Sequence, residues 1–241
     1  MGPDLAKAAR LLANPARATM VVTLLDGRPC SAGELCRTAA VKASTASEHL
    51  ADLVAGGLVS VRVEGRHRYF AIASPEVAQA LEAFSQICPP EEVRSLRQSA
   101  EVRALRYART CYDHLAGVLG VAMFDGLRSS GWLTFDGEAI AVSPHGHACL
   151  EDLGIDVAAL RGQRRSFARP CLDWTERRPH LSGSLGAALT SVALERGWLE
   201  RNERRRGLSI TPAGKRLMPT HLDLAIPPDP AATSTATRAV A

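Results

Sequence analysis

Residues 42–73 read KASTASEHLADLVAGGLVSVRVEGRHRYFAIA. The first part predicts a short helix, Ser44 to Ala55, stopped by Gly56-Gly57. Leu50, Leu53, Val54 and Leu58 supply its core side, which leaves a hydroxyl-rich side outward. Val59, Val61 and Val63 then alternate with Ser60, Arg62 and Glu64. Glu64-Gly65 is the expected turn, and Arg68 to Ile72 returns as the second strand of a hairpin.

Upstream, Asn14-Pro15 marks a helix start, and Asp26-Gly27-Arg28-Pro29 breaks the apolar stretch that ends at Leu25. Ser31 opens a short helix with Glu34 as its capping-box partner. A loop around 40–43 leads into the helix at Ser44. Downstream, Ser74-Pro75-Glu76 opens another helix that ends near Cys88. Two short helices, a tight turn and a basic hairpin make a winged helix-turn-helix, whose second helix enters the major groove. Ser44, Thr45, Ser47, Glu48 and His49 lie on its first turns, where short side chains reach phosphates and base edges. Arg62, Arg66, His67 and Arg68 sit at the hairpin tip, placed to hold the sugar-phosphate backbone or enter a minor groove.

Residues about 5–88 resemble the ArsR/SmtB family of bacterial winged-helix repressors. The likeness runs through LLANPARATMVVTLLDG, SAGELC, KASTASEHLADLVAGGLV and VEGRHRYFAI. It implies a homodimer formed by the first and fifth helices, binding to a double-stranded operator, and release on ligand binding. Family metal sensors often carry two cysteines on the helix near Ser31, but here Cys36 is followed by Arg37 and Thr38. Zinc-type sites place Asp and His on the fifth helix, which here reads PEVAQALEAFSQI. A sensing site is therefore expected elsewhere.

The second half contains an internal repeat. HLAGVLGVAMFDGLRSSGWL from His114 and HLSGSLGAALTSVALERGWL from His180 are identical at nine of twenty positions. Each runs on into a hairpin and a helix start, at Ser143-Pro144-His145-Gly146 and Thr211-Pro212-Ala213-Gly214. The unit of helix, G-W-L, hairpin and helix is again winged-helix-like. The expected class is mainly α with small β-hairpins (α+β). Its parts are a winged-helix domain over 1–90, a connecting helix over 91–109, and a sensing domain over 110–225. That domain holds two degenerate winged-helix-like repeats, about 109–160 and 169–222. A disordered tail over 226–241 lacks apolar periodicity.

Both copies begin R-x-C-x-D, at Arg109-Thr110-Cys111-Tyr112-Asp113 and Arg169-Pro170-Cys171-Leu172-Asp173. His114 and His180 follow. Two copies meeting at a pseudo-twofold would gather Cys111, Cys171, His114, His180, Asp113 and Asp173. Thiolate and imidazole suit zinc or another thiophilic metal or metalloid, with carboxylate as a third or outer partner. The three-residue spacing of Cys111 and His114 suggests one helical turn. Purely structural roles, a redox pair of Cys111 and Cys171, and an organic-ligand pocket stay open beside the metal reading. His145, His147 and Cys149 alternate but read as a helix entry. Cys88-Pro89 resembles a haem-responsive dipeptide too common to weigh. The basic run 201–206 falls where a second wing would be.

The 241 residues, 46% hydrophobic, allow a real core, and no run approaches the about 18–20 apolar residues of a membrane span. The N-terminus lacks a secretory pattern, so a cytoplasmic chain is expected, with its six cysteines reduced and no membrane partner. A net charge of +4 permits nucleic-acid binding without demanding it. An enzyme with Cys111 or Cys171 as nucleophile and His114 or His180 as base is the competing class. No phosphate loop or nucleophile elbow accompanies those residues, and no enzyme is expected.

Overall fold

The computed structural model describes residues 2, 4–89, 95–137, 139–202 and 206–229. Residues 230–241 of the expected tail fall outside them, as does part of the basic run 201–206. The start of that tail is not disordered: Ile226 packs on the core and the Pro227 carbonyl accepts from the Tyr107 hydroxyl at 3.0 Å. The chain divides into two compact units, 1–84 and 85–241.

The first unit runs α1 (Leu5–Leu12), α2 (Pro15–Leu24), β1 (Cys30–Ser31), α3 (Ala32–Thr38), α4 (Ala43–Ala55), β2 (Val59–Glu64), β3 (His67–Ile72) and α5 (Pro75–Ser85). Asn14 caps α2 by accepting from the amides of Ala16 and Arg17. Ser31 and Glu34 form a reciprocal capping box on α3, a device worth about 1 kcal/mol. Met20, Leu24, Leu35, Leu50, Leu53 and Phe70 are buried and make the core of this unit. Gly65 has φ 58° and Glu64 pairs with His67, so the wing turns on Gly65-Arg66, one residue later than Glu64-Gly65. The sheet has a third strand as well: β1 pairs antiparallel with β3.

The second unit opens with α6 (Leu96–Tyr107). This helix stops short of Arg109 because Ala108 is extended (φ −150°, ψ 129°), which frees Arg109 for strand pairing. The first repeat follows as β4 (Arg109–Cys111), β5 (His114–Ala116), α7 (Gly117–Ser129), β6 (Leu133–Asp136), β7 (Ala139–Val142) and α8 (Pro144–Asp152). A short α9 (Val157–Arg161) leads to the second: β8 (Arg169–Leu172), β9 (Pro179–Ser182), α10 (Gly183–Glu195), β10 (Leu199–Arg201), β11 (Leu208–Ile210) and α11 (Pro212–Leu222).

Local chemistry repeats with the sequence. In each G-W-L the glycine is left-handed (Gly131 φ 76°, Gly197 φ 65°), ending its helix so that the Trp amide bonds back to Leu127 or Ala193. Ser143 and Thr211 cap the next helix through the amides of Gly146 and Gly214, at 2.9 Å in both. Those glycines lie against the Trp132 and Trp198 carbonyls, where a Cβ would collide with backbone. The copies share one core containing Leu115, Leu119, Met123, Trp132, Leu181, Leu185, Leu189 and Trp198. Packing is exchanged: α7 lies on β9, and α10 lies on β5. The two Cys/His hairpins are thereby pressed together, with β5 against β9.

Candidate functional site

Two places carry chemistry, one in each unit. In the first, Ala46, Leu50 and Leu53 bury one side of α4. Ser44, Ser47 and Glu48 are exposed, and Thr45 and His49 are half-buried. Ser47 Oγ donates to the Ala43 carbonyl at 3.0 Å, so it rests on its own helix until a partner competes. Lys42, a residue the sequence reading passed over, is exposed at the N-cap and provides no side-chain cap. The α4 amides thus meet solvent at the positive end of the helix dipole, a favourable place for phosphate. At the wing, Arg62, Arg66, His67 and Arg68 are exposed. Arg62 is paired with Glu64 at 2.8 Å, which offsets part of its charge, while Arg66 stands in the turn itself.

The second place is the set of Cys111, His114, Cys171 and His180. Cys111 and His114 do not share a helical turn. They face one another across the β4–β5 hairpin, whose two-residue turn is Tyr112-Asp113 with Tyr112 at φ 58°. Cys171 and His180 likewise face one another across β8–β9, with a longer loop between. The helices begin only at Gly117 and Gly183, three residues past each histidine. The physical reason is strand pairing: Thr110 N–H bonds the Arg206 carbonyl and Arg109 bridges to Gly207, which holds this segment extended.

All four ligand-type atoms lie within 4.8 Å of one another. The Cys111 and Cys171 sulfurs are 3.9 Å apart, and the His114 and His180 Nε2 atoms 3.2 Å. His114, His180 and Cys111 are buried and Cys171 is half-buried.

The aspartates stand behind this set, outside the group of converging atoms. Asp113 Oδ1 is 3.4 Å from His114 Nδ1, and Asp173 Oδ2 is 3.4 Å from His180 Nδ1. The second approach lacks hydrogen-bond geometry and leaves His180 Nδ1 without a bonded partner. Asp113 is gripped by the two guanidinium nitrogens of Arg165. Both Asp173 carboxylate oxygens accept from Arg109 Nη2 at 2.9 Å, and they also accept from Thr175 and the Gly117 amide. Arg109 also lies over the Trp174 ring at 4.6 Å.

Burial alone would raise both carboxyl pKa values. For Asp113 the hydrogen bonds and charges of His114 and Arg165 together outweigh it, and for Asp173 the Arg109 charge together with hydrogen bonds from Thr175, Gly117 and Arg109 does, so both sit below the usual range. Burial also works against the His114 imidazolium, but the Cys111 sulfur and Asp113 raise its pKa to about 9. Arg165 and Thr175 were invisible in the repeat. Arg109 and its counterpart Arg169 each hold a buried Nε without a hydrogen-bond partner. His145 and Cys149 approach one another at 3.8 Å, and among the described residues no other group of three or more such side chains converges.

A family model described as a helix-turn-helix domain matches residues 12–62. The HTH-type transcriptional regulator YdfF of Bacillus subtilis (strain 168) is 42% identical over 226 residues, covering 94% of this chain and 100% of YdfF. The HTH-type transcriptional regulator CmtR of Mycobacterium tuberculosis is 39% identical over 83 residues, 34% of this chain and 70% of CmtR. Among solved structures, the homodimeric winged helix-turn-helix domain Mb0332 of Mycobacterium bovis, described as a possible ArsR-family regulator, is 32% identical. It covers 34% of this chain and 75% of its own, with a TM-score of 0.31. No helix among the described residues is long and apolar enough to cross a membrane. The chain belongs to the helix-turn-helix transcriptional regulators of the ArsR type, with a second unit that it shares with YdfF across that relative's full length.

Proposed function

We propose that this regulator is a homodimeric, ligand-responsive repressor that occupies duplex operator DNA in the cytoplasm, senses its effector in the second unit and catalyses no reaction. The observation that carries the DNA-reading part is the pairing, in one unit, of α4 and the wing. The exposed side of α4 bears Ser44, Ser47 and Glu48 beside an uncapped N-terminus, and the wing turns on Arg66. Leu5 on α1 and Phe84 on α5 are exposed in the single chain, which supports a dimer through those helices. The repeat supports sensing in the second unit, because its buried Cys/His set lies apart from the DNA-reading residues in sequence and unit.

Fluorescence anisotropy on the chain's own promoter fragment tests it. The wild type should bind specifically, with affinity falling steeply as salt rises. The combined S44A, T45A, S47A and R66A variant should retain only non-specific affinity. Unchanged sequence selectivity in that variant would remove the reading.

A further inference from the structure

We infer that Cys111, His114, Cys171 and His180 together bind one zinc-class divalent ion in a closed four-coordinate site. This names the ligand of the second unit and so rests on the sensing role proposed above. ArsR metal sites on the third and fifth helices do not account for it. α3 carries one cysteine, whose sulfur contacts the Val41 carbonyl at 2.9 Å, and α5 contains neither cysteine nor histidine.

Tetrahedral geometry is the first support. Metal–sulfur bonds of about 2.3 Å and metal–nitrogen bonds of about 2.0–2.1 Å give tetrahedral edges of about 3.8 Å for S···S and 3.3 Å for N···N. The protein sets these two edges at 3.9 and 3.2 Å before any ion is considered. The widest separation in the set is 4.8 Å, so closure needs side-chain movements of about 1 Å or less at the mixed edges.

The surroundings are the second support. Each imidazole turns Nε2 inward and has a carboxylate 3.4 Å from its Nδ1. A carboxylate behind a ligating histidine fixes the ring and raises its basicity. His180 Nδ1, buried and unbonded, needs only a small ring rotation to donate to Asp173.

Charge balance is the third. Ligation displaces one proton from each thiol, and two thiolates cancel a divalent charge. Asp113 is offset by Arg165 and Asp173 by Arg109, so the loaded site is neutral in a buried setting where an uncompensated charge would be costly. Two sulfurs and two imidazoles select zinc-like ions over calcium or magnesium, which take oxygen. With four protein ligands no position stays open for substrate. Each repeat supplies one cysteine and one histidine, so the ion ties the two hairpins together.

The test is cobalt(II) titration of the full-length, chelator-stripped chain, followed by zinc displacement and mass-spectrometric mapping of thiol alkylation. The expected result is the intense visible spectrum of tetrahedral cobalt, saturating at one ion per chain and abolished by zinc. Zinc should shield Cys111 and Cys171 from alkylation and leave exposed Cys88 reactive. C111S and C171S should each lose the spectrum. D113N should keep it with affinity weaker by about 10- to 100-fold. The shielding readout needs no variant, so misfolding of C111S or C171S leaves the proposal testable. A weak octahedral spectrum, unchanged alkylation of both thiols under zinc, or a Cys111–Cys171 disulfide formed equally fast with and without zinc would each overturn it. Operator binding is measured separately: a chain that binds DNA but no cobalt defeats only the metal site, and the reverse defeats only the DNA reading.

Discussion

The two Cys/His hairpins reach one arrangement by different means. In the first, two residues separate Cys111 from His114 and the turn is tight. In the second, eight residues separate Cys171 from His180, yet the two again face one another in register. Behind the first, Asp113 is partly exposed and relies on Arg165. Behind the second, Asp173 is fully buried and takes Arg109, Thr175 and two backbone amides besides that of Gly117. What the fold preserves is the cross-strand pairing of a sulfur with an imidazole, while loop length and the supporting ion pair vary. The second hairpin buries its carboxylate, whereas the first buries its two strands throughout.

That contrast can be broken experimentally. Arg109→Ala removes the main partner of a fully buried carboxylate, and should cost about 3–5 kcal/mol in urea unfolding of the second unit. Gly146→Ala and Gly214→Ala each force a Cβ onto a Trp carbonyl, and each should cost roughly 1–3 kcal/mol by the same measurement. Near-equal values would confirm that the repeats are packed alike outside the hairpins. Arg165→Ala, acting on a partly exposed pair, should cost about 1 kcal/mol or less. A loss equal to that of Arg109→Ala would contradict the asymmetry. In the first unit, Arg66→Ala should lower the salt slope of operator binding by about one, and Arg62→Ala by less, because Glu64 already offsets Arg62.

Much of this was legible in the residues. The wing, the capping box at Ser31 and the repeat with its G-W-L and S/T-P-x-G signals all carry strong local rules, and the elements fall where those rules put them, save that the wing turns one residue later. The gathering of Cys111, Cys171, His114 and His180 followed from duplication alone. Their backbone did not. Cys111-Tyr112-Asp113-His114 has no Gly or Asn to announce a turn, and a left-handed Tyr112 is a conformation that tertiary pairing imposes. Arg165 lies outside both repeat copies, so only the fold brings it to Asp113. The strand at Cys30–Ser31 is two residues long, too short for any periodic signal.

The most direct test of a regulator whose second unit governs its first is operator affinity, followed by anisotropy at fixed salt, for chelator-stripped and zinc-loaded protein. Linkage requires that a ligand favouring the non-binding state lower DNA affinity. The account predicts weaker operator binding in the zinc-loaded wild type and no zinc effect in a folded C111S/C171S chain. Equal affinity of the stripped and loaded wild type, with zinc shown to be bound, would contradict it.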